Sequence, residues 1–162
     1  MSSVCVHVSA TVGSEIRAPG APGGTSHEPA PGQGRVGWPV GWGQIDQSLT
    51  SDGHEAEALV LMCEPALAGA DLTVRPVALL RLTEHEGEVL CVAGDTCFTE
   101  LTNEMDLVRW QADVQVWATA LDRLSPGHEG NPTEYGSRKE AELLLDDAHR
   151  RYLRLTGCID EV

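Results

Sequence analysis

Lysine is almost missing from this 162-residue chain. Lys139 stands alone, the other ten basic side chains are arginine, and 25 acidic residues give a net charge of −14. That charge repels nucleic acid and anionic lipid surfaces, so neither is expected as a partner. Small aromatics are scarce too: one Phe and two Tyr stand against four Trp. The five cysteines (Cys5, Cys63, Cys91, Cys97 and Cys158) form no CxxC pair. An odd count without metal-ligand spacing argues for reduced thiols and a cytoplasmic location. No run approaches the ~20 apolar residues of a membrane span. The opening MSSVCVHVSATV lacks the basic region and apolar stretch of a signal peptide.

What is present reads as one domain over residues 1–162. A chain of this length buries enough surface to hold a core without a disulfide or a metal. Val4, Val6 and Val8 alternate with Cys5 and His7, a strand with one buried face. Nine of the 17 residues from Ala18 to Gly34 are Gly or Pro, which predicts a flexible loop over 18–35. The runs 58–62, 74–82 and 89–93 are apolar and strand-sized, with Pro76 at an edge or bulge and 84–88 as a turn. Leu107, Trp110, Val114, Trp117, Leu121 and Leu124 recur at spacings of three and four and predict a helix over 103–124, capped by Asn103. A polar loop follows. Ser137 and Glu140 then form a capping-box pattern ahead of a helix over 137–155. Strands followed by helices give an α+β class.

The segment WPVGWGQIDQSLTSDGHEAE carries the strongest motif. Trp38, Pro39, Trp42 and Gly43, followed by Asp52, His54 and Glu57, resemble the active-site pattern of the soluble inorganic pyrophosphatases. That pattern runs Tyr-Pro-x-x-Tyr-Gly and then Asp-x-Asp-Pro-x-Asp. The stretch 74–92 is similar to the segment that carries two further aspartates and a lysine in that family. The resemblance implies a twisted five-stranded, OB-like β-barrel with two flanking helices. It also implies a homo-oligomer, and Mg²⁺ or another divalent ion as cofactor.

Several groups of the pattern differ here. Both tyrosines are tryptophan. His54 stands where the family places the aspartate that helps hold the attacking water. Glu57 is one methylene longer than aspartate. Glu84 stands at an aspartate of the second segment, and Glu88 partly replaces the next. Nothing replaces the lysine, and Ala120-Leu121 occupy the place of a tyrosine-lysine pair. Each charge-assisted contact to phosphate contributes roughly 1.5–3 kcal/mol, so losing several removes most phosphate affinity. Tryptophan offers a broad apolar face in exchange, and a histidine among carboxylates can trade protons near neutral pH.

The residues therefore lead to a first expectation. The site is repurposed to bind a small, partly apolar organic molecule. It performs metal-independent acid/base catalysis (a cyclisation, isomerisation or dehydration) in a specialised biosynthetic pathway. Asp52, His54, Glu57 and Glu84 act catalytically, Trp38 and Trp42 bind the substrate, and no cofactor is needed. Two alternatives stand beside it. One is a weak, metal-dependent inorganic pyrophosphatase with Asp52, Glu57 and Glu84 as metal ligands. The other is a non-catalytic binding or scaffold protein.

Overall fold

The computed structural model describes residues 3–16, 37–83, 85–93, 98–110, 112–128 and 130–159. The 18–35 stretch read as a loop, and Glu84, lie outside them. Six strands form one mixed sheet: β1 (Val4–Gly13), β2 (Pro39–Ile45), β3 (Glu57–Leu61), β4 (Asp71–Leu82), β5 (His85–Ala93) and β6 (Pro132–Gly136). Their order is β1-β2-β3-β5-β4-β6, and β1 also pairs with β4. The first five strands thus join into a ring, and β6 is an extra strand laid on β4. All pairings are antiparallel except β3 with β5, where Ala58 faces Val89 and Leu61 faces Val92. The α+β class and the five linked strands agree with the expectation.

Strand alternation divides the apolar side chains between two faces. Val40, Leu59, Leu61, Leu90 and Val92 join one core with Trp110, Trp117 and Leu121. Val8, Ala58, Val60, Val89 and Cys91 join a second core with Ala141, Leu145 and Ala148. Both sides of β3 and β5 are therefore covered, which is why those strands read as unbroken apolar runs. Pro76 lies at a register shift between β4 and β5, since Pro76 faces Cys91 and Ala78 already faces Leu90. Gly43 lets β1 and β2 approach closely. A Cβ there would meet the His7 carbonyl oxygen at 2.0 Å.

The helices depart from expectation. The single helix read over 103–124 is two: α1 (Glu104–Arg109) and α2 (Val114–Leu124). Asn103 caps α1 by accepting from the Met105 and Asp106 amides, and the Asp106 carboxylate returns a bond to the Asn103 amide. Asp113 caps α2 by accepting from the Gln115 amide, 2.9 Å away. A second N-cap inside the periodic run restarts the helix. The apolar spacing continues across the break, so periodicity alone hides it. The predicted polar loop after α2 also contains β6. Its Tyr135 hydroxyl donates to the Ala112 carbonyl and accepts from the Trp117 indole N–H at 2.7 Å. Tyr135 thereby pins the break to the sheet. α3 (Arg138–Leu155) is capped by Ser137 and covers the second face. The turn expected over 84–88 is shorter than read, because β5 already begins at His85.

Cys5, Cys91 and Cys158 are free thiols, and burial pushes the Cys91 thiol far up. Cys63 is disulfide-bonded, which corrects the expectation of reduced thiols throughout. Among the described residues no helix is long and apolar enough to cross a membrane.

Candidate functional site

Where β2 runs into the loop before β3, the chain turns tightly. The Gly53 amide donates to the Thr50 carbonyl at 3.0 Å, and the Thr50 amide donates to the His54 carbonyl at 2.6 Å. Gly53 takes a φ of +87° that a side chain would strain. This turn holds Asp52, His54 and Glu55 at the rim of a cavity of about 300 Å³, with Glu57 and Glu88 within it. Asp52 and His54 are exposed.

The parallel register places the two glutamates together. Ala58 and Val89 are partners, so Glu57 and Glu88, each one residue earlier, stand side by side on neighbouring strands. Alternation aims both toward the face that carries Leu59 and Leu90, the side covered by α2. Glu88 is only 6% exposed. Burial, then the charge of Glu57 and a hydrogen bond with it, raise the Glu88 carboxyl well above the usual carboxylate range. A neighbouring carboxylate and burial both favour the protonated form of Glu88. Among the described residues the Glu88 Oε2 has no hydrogen-bond partner. Glu57 is fixed from the other side, because the Trp42 indole N–H donates to its Oε2 at 3.0 Å.

The last wall is the turn after α2, which contributes Ser125 and His128. Among the described residues no lysine or arginine lines the cavity. Arg75 is spent on the Leu101 and Phe98 carbonyls, each at 2.5 Å, and Arg81 on Glu134 and Glu140. Nor do three Asp, Glu, His or Cys side chains among the described residues converge closely enough to hold an ion unaided.

The cavity thus brings together Asp52, His54, Glu57 and Trp42 of the residues singled out from sequence. Glu84 lies outside the described residues. Trp38 is elsewhere, packed edge-on against Phe98 with ring centroids 5.2 Å apart. His128 joins them although it belongs to no motif. His7 is exposed and bonds Asp71, while His149 bonds the Gln47 carbonyl. Six of the eleven residues that line the cavity are ionisable. Leu82, Gly87 and Trp42 are its non-ionic, non-hydroxyl members, and the Trp42 edge is committed to Glu57.

Residues 32–153 match the family described as inorganic pyrophosphatase. An inorganic pyrophosphatase of Streptomyces coelicolor is 24% identical over 120 residues, covering 71% of this chain and 74% of that one. The crystal structure of an inorganic pyrophosphatase from Thermus thermophilus superposes with a TM-score of 0.64 at 23% identity, covering 93% of this chain and 91% of the other. An inorganic phosphatase from Anaplasma phagocytophilum gives 0.65 at 20% identity, with coverages of 93% and 94%. These matches overturn the expectation of a cyclase-, isomerase- or lyase-like enzyme. Matched over most of its length, the chain belongs to the inorganic pyrophosphatase family.

Proposed function

We propose that this protein is a divalent-metal-dependent hydrolase that splits inorganic diphosphate into two phosphates, slowly and with an altered metal preference. The observation that carries the reading is the Glu57–Glu88 pair: two carboxyls brought together in the cavity, one with a buried oxygen that lacks a partner among the described residues. Such a pair is electrostatically incomplete, and a cation completes it. Mg²⁺ keeps several waters and needs only one or two carboxylates plus substrate phosphates. Glu57 and Glu88, with Asp52 at the rim, supply that number. A bound divalent ion supplies neutralisation at phosphoryl oxygens and acidifies water.

The chain's own groups set the conditions. Trp42 holds Glu57 in place through its N–H. The proton held between Glu57 and Glu88 must leave when a cation arrives, so metal affinity rises with pH. His54, an imidazole at the cavity rim, shifts preference from Mg²⁺ toward ions that accept nitrogen, such as Zn²⁺. With no guanidinium or ammonium group lining the described cavity, ions must carry most of the neutralisation of diphosphate, which is why turnover is expected to be low.

Phosphate release from inorganic diphosphate is the test, run with Mg²⁺, Mn²⁺ and Zn²⁺ in turn. Release should need an added ion and fall at least roughly tenfold in Asp52→Asn, the loss of about one charge-assisted contact. Absence of release above the buffer rate with every ion would sink the reading. Tight metal-dependent diphosphate binding without release would favour the non-catalytic alternative.

A further inference from the structure

Asp52 and His54 stand on the least packed part of the site. Residues 51–55 are all exposed, so hydrogen bonds rather than packing place the two side chains at the cavity rim. The loop that carries them is tied at its neck. The Ile45 amide donates to the Ala56 carbonyl at 2.7 Å, and the buried Ser48 hydroxyl donates to the Ile45 carbonyl and accepts from the Ala56 amide. Its tip is closed by the bonds between Thr50, Gly53 and His54. A loop held only at its neck can swing about the line of that neck, and bonds within the tip do not stop it.

A third attachment, off that line, does stop it, and α3 provides one. Ala141, Leu145 and Ala148 bury one side of the helix in the second core, which makes α3 a fixed reference. The Leu49 amide donates to the Ala148 carbonyl at 3.0 Å. The next helix residue, His149, sets its Nδ1 2.9 Å from the Gln47 carbonyl. A carbonyl only accepts, so Nδ1 carries the proton and donates. Gln47 bends to present that oxygen: its φ is +54°, a left-handed conformation uncommon for a residue with a side chain. Strained backbone of this kind persists where its surroundings hold it. The loop and helix are not sealed together by packing. A cleft of about 300 Å³ is walled by Asp46, Gln47 and Ser48 of the loop and by Leu145, Asp146 and His149 of the helix.

We propose that His149 is a positioning residue of the candidate site. It does not line the cavity. It holds the Gln47 end of the loop against α3, and so sets where Asp52 and His54 stand relative to Glu57 and Glu88 on the sheet. The inference rests on reading the cavity as a diphosphate site. Asp52 is the rim carboxylate in that reading, so a looser loop weakens ion binding first.

The experiment compares wild type with His149→Ala and His149→Asn. Alanine removes the donor, whereas asparagine puts a side-chain N–H₂ near the place of Nδ1 and keeps it. His149 is exposed, so both variants keep the fold. Three quantities are read: the Mg²⁺ dependence of phosphate release from inorganic diphosphate, amide exchange at Leu49, and Tm. His149→Ala should need roughly three- to tenfold more Mg²⁺ for half-maximal release, a larger change than any fall in kcat at saturating Mg²⁺. Its Leu49 amide should exchange faster while the β3 amides keep their rates. His149→Asn should recover most of both losses. A histidine that only stabilises the fold would lower Tm and leave the Mg²⁺ dependence alone. If wild type is active and His149→Ala stays within twofold of its Mg²⁺ dependence, or if His149→Asn recovers nothing, this inference fails and the proposed activity stands. If wild type releases no phosphate with any ion, both fall together.

Discussion

Replacing Glu88 by Gln tests the carboxyl pair directly. In the metal-free protein, burial first and Glu57 second hold the Glu88 carboxyl well above its ordinary range. The unfolded chain releases that proton near the ordinary carboxylate value, whereas the folded chain keeps it. Between those two values the native state binds one proton more than the unfolded state. Stability is then fully present below the ordinary value and is lost as pH rises through the raised one. The slope approaches about 1.4 kcal/mol per pH unit inside that window. For a domain of this size each kcal/mol moves Tm by roughly 2–4 °C. Glutamine has nearly the same shape, does not titrate, and offers an N–H₂ to Glu57. The variant should therefore lack this slope. In chelator its Tm should overtake that of wild type as pH rises from 5 to 8, by roughly 3–6 °C per pH unit within the window. Added Mg²⁺ should reverse the order at pH 8, because ligand binding to the native state stabilises by about 2.7 kcal/mol at a hundred times Kd and the variant has lost a ligand. Differential scanning calorimetry over pH, with and without Mg²⁺, reads both halves. Parallel wild-type and variant curves in chelator would refute the shared-proton account.

Two further outcomes test the frame around the site. Tyr135→Phe removes the oxygen that joins the Trp117 N–H to the Ala112 carbonyl, so two buried groups lose their partner. Urea unfolding should show a loss of at least about 2 kcal/mol, and a loss under 0.5 kcal/mol would mean that the pin between α1, α2 and β6 is unimportant. Asp106→Asn removes a carboxylate that accepts from the Thr102 amide and hydroxyl and from the Asn103 amide. The Thr102 amide bond, acting against partial burial and helped by the Thr102 hydroxyl, Asn103 and Arg109, lowers the Asp106 carboxyl below its usual value. Its contribution is thus present above the ordinary aspartate range and lost as pH falls through the lowered value. The variant should be about 1–2 kcal/mol less stable at pH 7, and the difference should shrink as pH falls below the ordinary aspartate range.

Much of this architecture was legible from local chemistry. Alternating valines announced β1, and strand-sized apolar runs announced β3 and β5, because those strands are packed on both sides. Asn103 and Ser137 marked their helix starts through capping. The break between α1 and α2 was invisible because the Asp113 cap restarts the helix without disturbing the apolar rhythm. β6 was hidden for the opposite reason: a short, polar strand with Pro and Gly at its ends carries no rhythm at all. Within the site, motif spacing delivered Asp52, His54 and Glu57 to one cavity. It could not separate Trp42, which reaches Glu57, from Trp38, which reaches Phe98. His128 escaped because it reaches the cavity from a turn that belongs to no motif.

The parallel seam in the ring, between β3 and β5, has a mechanical consequence. Two carboxyls stand at its mouth, and ionising both would push the strands apart, so the retained proton keeps that edge closed. A cation held by Glu57 and Glu88 would take over that proton's part, tying occupancy of the cavity to the pairing of β3 with β5.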